Sequence, residues 1–134
     1  MPPRFARDEG AQSLVETALS LSVLVFLILG GVDLGRAYVA QVGVLNAARA
    51  GAFAGASQAA TTDPAIASYA TEELGRTIGV DPALATITVT HTTGGGGERL
   101  LTVRVEYPFR TVVPWPLLPN ALALDRSAIF REYP

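Results

Sequence analysis

The chain has 134 residues, enough for one domain; 49% are hydrophobic and 16% charged, which excludes a disordered chain. No cysteine and one histidine, His91, exclude disulfides, thiolate zinc sites and multi-histidine metal centres. The positive charge is all arginine, ten against twelve acids, so lysine Schiff-base chemistry is excluded and a net charge of −2 gives no support to nucleic-acid binding.

The apolar residues are concentrated near the start. Thr17 to Val32 carries no charge, and Ser13, Leu14 and Val15 extend the run with Glu16 as its one interruption. As a helix, residues 13–32 rise roughly 30 Å, about the thickness of a bilayer core. Arg4 and Arg7 precede it as a signal peptide's basic region would. However, no small-x-small cleavage site directly follows the run, and Ala48-Arg49-Ala50 lies far downstream. A membrane span is therefore expected over 13–32.

The helical pattern continues past that edge. No proline occurs between Pro3 and Pro64, and the stretch after Asp33 is rich in alanine, a strong helix former. One helix is predicted over 12–60, its first half suited to lipid and its second to close packing. Gly31 and Gly35 form one G-x-x-x-G pair, and Gly51 and Gly55 another; such spacing lets backbones approach closely. Gly30-Gly31 is the expected weak point for local unwinding.

Thr61-Thr62-Asp63-Pro64 breaks the helix, with Asp63 suited to an N-cap and Pro64 to the first helical position. A second helix is predicted from Pro64 to Ile78, its apolar stripe Ile66, Tyr69, Ala70, Leu74 and Ile78, with Gly79 as its stop. The period then changes to two. Ile87 and Val89 alternate with Thr86, Thr88 and Thr90; Gly94 to Gly97 form a loose turn; Leu101, Val103, Val105 and Tyr107 alternate with polar residues. Pro108, Pro114, Pro116 and Pro119 are expected to break the chain around Trp115, and Leu122 to Arg131 reads as a third strand. The segment 64–134 is too small for a large core of its own and is expected to lean on the long helix. The predicted fold is α+β: a long N-terminal hydrophobic stalk helix, a short second helix, and a three-stranded antiparallel sheet packed on the stalk's C-terminal half.

Several residues carry meaning beyond the fold. A carboxylate early in a membrane span costs on the order of 1–3 kcal/mol, depending on depth, so Glu16 either lies solvated at the interface or has a partner. Asp33 and Arg36 share one helix face just past the apolar run and can pair within the helix or between subunits. Asn46 and Arg49 repeat that spacing and can bond to the small domain or a neighbour, or line a solvated face. His91 reads as a surface residue. Trp115 reads as a packing residue over the sheet or at an interface, with an exposed aromatic as the other reading. The threonines from Thr86 to Thr93 read as the wet face of a strand. No nucleophile–base–acid set, phosphate loop, cofactor motif or metal cluster is legible, so no catalytic, cofactor or metal residue is assigned.

The stretch Gly10-Ala11-Gln12-Ser13-Leu14-Val15-Glu16-Thr17-Ala18-Leu19 resembles the start of TadE-like proteins, type IV pilin-like subunits of tight-adherence pili. The resemblance continues through Gly31-Val32-Asp33-Leu34-Gly35-Arg36-Ala37-Tyr38, Gln41-Val42 and Asn46 to Ala52, and more faintly from Val103 to Pro114. It implies a pilin-like fold and a precursor in the inner membrane. A prepilin peptidase would remove a leader within residues 1–11, and an assembly platform would polymerise the subunit through its N-terminal helix. The partners implied are further copies, other pilin-like subunits and, before assembly, membrane lipid. The expected destination is a cell-surface filament. In the family, a glutamate at mature position five is matched by a neighbour's free α-amine. Cleavage after Ala11, leaving Gln12 first, puts Glu16 at position five; cleavage after Gly10 puts it at six. The candidate assembly residues are thus Glu16, by this resemblance, and Gly31, Asp33, Gly35, Arg36, Asn46, Arg49, Gly51 and Gly55, by their spacing on the helix. The other readings are a scarce minor pseudopilin that primes or caps a pilus, and a single-span anchored binding module.

Overall fold

The structure, a computed structural model, describes residues 5–115 and 119–132, with residues 5–9 described by backbone alone. The element order is α1 (Phe5–Ala56), α2 (Asp63–Gly75), a 3₁₀ turn (Pro82–Leu84), β1 (Thr86–Thr93), β2 (Arg99–Arg110) and β3 (Ala121–Arg131). This is the expected α+β arrangement. The chain forms two compact units, Met1–Leu34 and Gly35–Pro134.

α1 is unbroken, so the expected unwinding at Gly30-Gly31 does not occur. It starts earlier than the predicted 12, because Ala6, Arg7 and Glu9 are good helix formers too. It also stops before the predicted 60. Gln58 takes a left-handed φ of 59°, its N–H donating to Gly55 O at 3.1 Å, and the Ala60 N–H reaches back to Ala54 O at 3.0 Å. This is a Schellman-like end with glutamine where glycine is usual, which is why no stop signal is visible in the sequence.

Within the first unit, residues 10–32 form a helix whose side chains are exposed on every side, the intermediate Gly30 aside. Two hydroxyls on it are satisfied internally: Thr17 Oγ1 donates to Ser13 O at 2.9 Å and Ser22 Oγ to Ala18 O at 2.8 Å. Such back-bonding lowers the cost of taking a hydroxyl into lipid.

In the second unit, Ala40, Val44, Ala47, Ala48, Ala52 and Ala54 of α1 share one core with Ile66, Ala70 and Leu74 of α2 and with Leu101, Val103, Val105, Tyr107 and Phe109 of β2. Small side chains on α1 let the other elements come close. A Cβ on Gly51 would lie 3.1 Å from Ala70 Cβ and 3.2 Å from both Ile66 O and Val103 Cγ1. One on Gly55 would overlap Leu101 Cδ2 and lie 2.8 Å from Ile66 Cδ1. The sheet order is β1-β2-β3, antiparallel throughout, with Thr86 opposite Glu106 and Tyr107 opposite Leu124.

Three local expectations are corrected. The α2 cap is Thr62, whose Oγ1 accepts from the Ala65 N–H at 3.4 Å; Asp63 is instead the first helical residue, where its charge suits the helix dipole. α2 ends at Gly75, with Arg76 as cap, so Gly79 is not its stop and Ile78 is not on its stripe; Ile78 is 90% exposed and Tyr69 also points outward. Pro108 does not break β2. It pairs with Ala123 at a level β1 does not reach, where the missing N–H has no neighbouring strand to serve. Pro116 lies outside the described residues.

Candidate assembly surface

The nine expected assembly residues all lie on α1, and the structure separates them into three groups. Glu16 is exposed on the largely apolar helix surface, with no partner among the described residues. Gly31 and Gly35 are open, with nothing within 4 Å of where a Cβ would stand. Gly51 and Gly55 are packing positions within the chain, against α2 and β2, as their close Cβ approaches require.

Asp33 is 4% exposed and is not without a partner, as a buried carboxylate requires. The Arg36 guanidinium lies over the Phe109 ring, 5.4 Å from its centroid, a cation–π contact that fixes α1 against β2. Asn46 and Arg49 are exposed, and neither makes a hydrogen bond or ion pair among the described residues. Asn46 borders a shallow hollow of about 370 Å³ with Tyr38, Val42, Arg76 and Ile78. The candidate processing residues Gly10, Ala11 and Gln12 are helical and exposed.

One cluster escaped the sequence reading. His91 is not a bare surface residue: its Nε2 lies 3.0 Å from Asp63 Oδ1 and its Nδ1 2.8 Å from Glu132 Oε1. It thereby ties the start of α2 and the end of β3 to β1. The hydrogen bond with Asp63 raises the imidazole pKa above its ordinary value, opposed by partial burial and helped by Glu132. Arg99 Nε stands 3.3 Å from Glu132 Oε2 at ion-pair distance without hydrogen-bond alignment, and that buried oxygen has no hydrogen bond among the described residues. The cluster rims an open hollow of about 600 Å³ with Gly55 and Ile66 beneath it. The signal was in the alternation: His91 occupies the inward register shared by Ile87 and Val89, opposite Leu101. Trp115 is half-buried, and its backbone N–H donates to Asn120 Oδ1 at 2.6 Å.

These features define a class: among the described residues, one helix long and apolar enough to cross a membrane, near the N-terminus, followed in the chain by an α+β unit that holds the core. Residues 11–52 match the family model described as TadE-like protein, in agreement with the resemblance read from the sequence. The match covers most of α1 and stops before α2. No curated protein and no solved structure matches the chain.

Proposed function

We propose that this protein is a structural subunit of a tight-adherence, type IV pilus-like filament. It is inserted in the inner membrane as a precursor and polymerised through its N-terminal helix. The observation that carries the reading is the helix of residues 10–32, apolar and exposed all round, with Glu16 as its single carboxylate, inside the segment that matches TadE-like proteins. In lipid that surface is solvated by acyl chains; in a filament, neighbouring copies cover it. Gly31 and Gly35 offer open backbone for close helix approach there. Glu16 is answered in the assembled state by the α-amine of a neighbour whose leader was cut beside Gly10 or Ala11. The partners are further copies, other pilin-like subunits, a membrane assembly platform and a prepilin peptidase.

Glu16→Ala tests this. Normal membrane insertion with loss of filaments is the expected result, and unchanged assembly overturns the role of Glu16. The intact mass of the protein in sheared, pelleted surface material then reads the processing. A chain starting at Ala11 or Gln12 supports the processed subunit. A full-length chain there rules out the amine pairing, and absence from that fraction overturns the filament subunit.

A further inference from the structure

The loop between β2 and β3 contains no charged residue from Thr111 to Leu124, and it holds the only tryptophan of the chain. It reads Thr-Val-Val-Pro-Trp before the described residues pause, and Val112 there is 66% exposed. A charge-free loop with an exposed valine and a tryptophan is costly in water and common where protein meets lipid.

Its place in the fold follows from the register of β2 on α1. Leu101 meets the position of Gly55, Val103 that of Gly51, and Phe109 lies under Arg36. β2 therefore runs antiparallel to α1, and the loop leaves the sheet at the Arg36 end. Arg36 is four residues along the chain from Val32, the last residue of the charge-free run. Even a fully extended chain covers no more than about 14 Å in four residues. The polar zone of a leaflet is roughly 5–8 Å deep. A loop that starts beside Arg36 thus begins no more than about 9 Å beyond the headgroup zone once the run is in lipid, a gap that four extended residues can cross.

The neck of the loop is also suited to a poorly hydrated place. The Thr111 N–H donates to Asn120 O at 3.1 Å, and Asn120 Oδ1 takes the Trp115 backbone N–H, so the side chain of Asn120 closes the turn internally. At the base stand two cations, Arg36 and the exposed Arg110, of the charge that lipid phosphates attract, and Asp125, the first acid after the loop, is held by Arg104.

We infer that the Val112–Trp115 segment docks into the headgroup–acyl boundary of the membrane that α1 spans, so that the precursor is held to lipid at a second point besides its helix. The inference rests on the membrane reading of α1. Trp115 as sole tryptophan reports it directly. The full chain is reconstituted in vesicles of phosphatidylcholine and phosphatidylglycerol, with lipid brominated high in the acyl chain as quencher and acrylamide as the aqueous quencher. Expected is a blue-shifted Trp115 emission that bromolipid quenches and acrylamide reaches poorly. A second chain, carrying Trp115→Phe together with Phe26→Trp, reports the span. If bromolipid quenches the Phe26→Trp chain while Trp115 of the natural chain stays red-shifted and open to acrylamide, the span is inserted and the loop inference is overturned. A Trp115 emission that is blue-shifted but untouched by bromolipid also overturns it, because protein, not lipid, then covers the loop. If neither chain responds to bromolipid, the membrane reading itself fails and the inference with it.

Discussion

His91 stands at an inward position of a threonine-rich strand, yet its side chain remains 40% exposed because it closes the rim of the sheet. Both ring nitrogens face carboxylates, Asp63 from α2 and Glu132 from beyond β3, while Arg99 lies against Glu132. The folded pKa is raised above the unfolded value of about 6.5, chiefly by the Asp63 hydrogen bond. By linkage, the contribution to stability is fully present below the unfolded value and is lost as pH rises through the folded one. Solvent screening at this exposure keeps it small. Stability of the wild-type chain should therefore fall slightly from acid to neutral pH, and His91→Gln should flatten that slope in urea titrations at about pH 5 and 8. Gly55 carries a steric constraint instead. Leu101 and Ile66, both essentially buried, occupy the space a methyl group would need. Gly55→Ala should lower unfolding stability by about 1–3 kcal/mol, the usual cost of overpacking, despite the gain in helix propensity.

Among the elements, α1 is two surfaces on one helix. Beyond Gly35 its alanine face is a mould for α2 and the sheet; from residue 10 to residue 32 its surface is largely apolar and exposed, as the proposed membrane and filament contacts require. The two glycine pairs, identical in spacing, separate on this ground. Gly51 and Gly55 are consumed by intramolecular packing, whereas Gly31 and Gly35 face nothing. Replacing Gly31 and Gly35 with alanine should strengthen helicity in the isolated subunit by up to about 1 kcal/mol per site. In the proposed filament, the same change should weaken assembly by holding helices apart. Circular dichroism of the detergent-solubilised protein and sedimentation of the filament separate the two effects. Unimpaired filament yield would remove these glycines from the assembly surface.

For the whole molecule, the distribution of burial sets what can fold. Among the described residues, the hydrophobic core draws on none before Ala40, with Ala37 at its edge, and Asp33 is the one buried residue before them. A chain beginning at Gly35 should therefore fold, giving dispersed amide resonances and a cooperative thermal transition. A chain ending at Ala60 should lack any packed core. If the longer fragment gave only collapsed, undispersed spectra, residues 1–34 would have to contribute to folding.

The long helix, its apolar first half, the switch from helix to strand and the three strands were all legible from the residues in order. They rest on periodicity and composition: a charge-free run, a proline-free alanine stretch, and alternation with a period of two. The family resemblance, too, was legible along residues 11–52. Three features needed the folded chain: which glycines pack internally, the tolerance of Pro108 inside β2, and the bridging of two carboxylates by His91. Each depends on what lies across from the residue rather than beside it in the chain. A glycine is an open surface or a close contact according to its neighbour. A proline is permitted where β1 ends, and Asp63 meets His91 only after α2 has folded against the sheet.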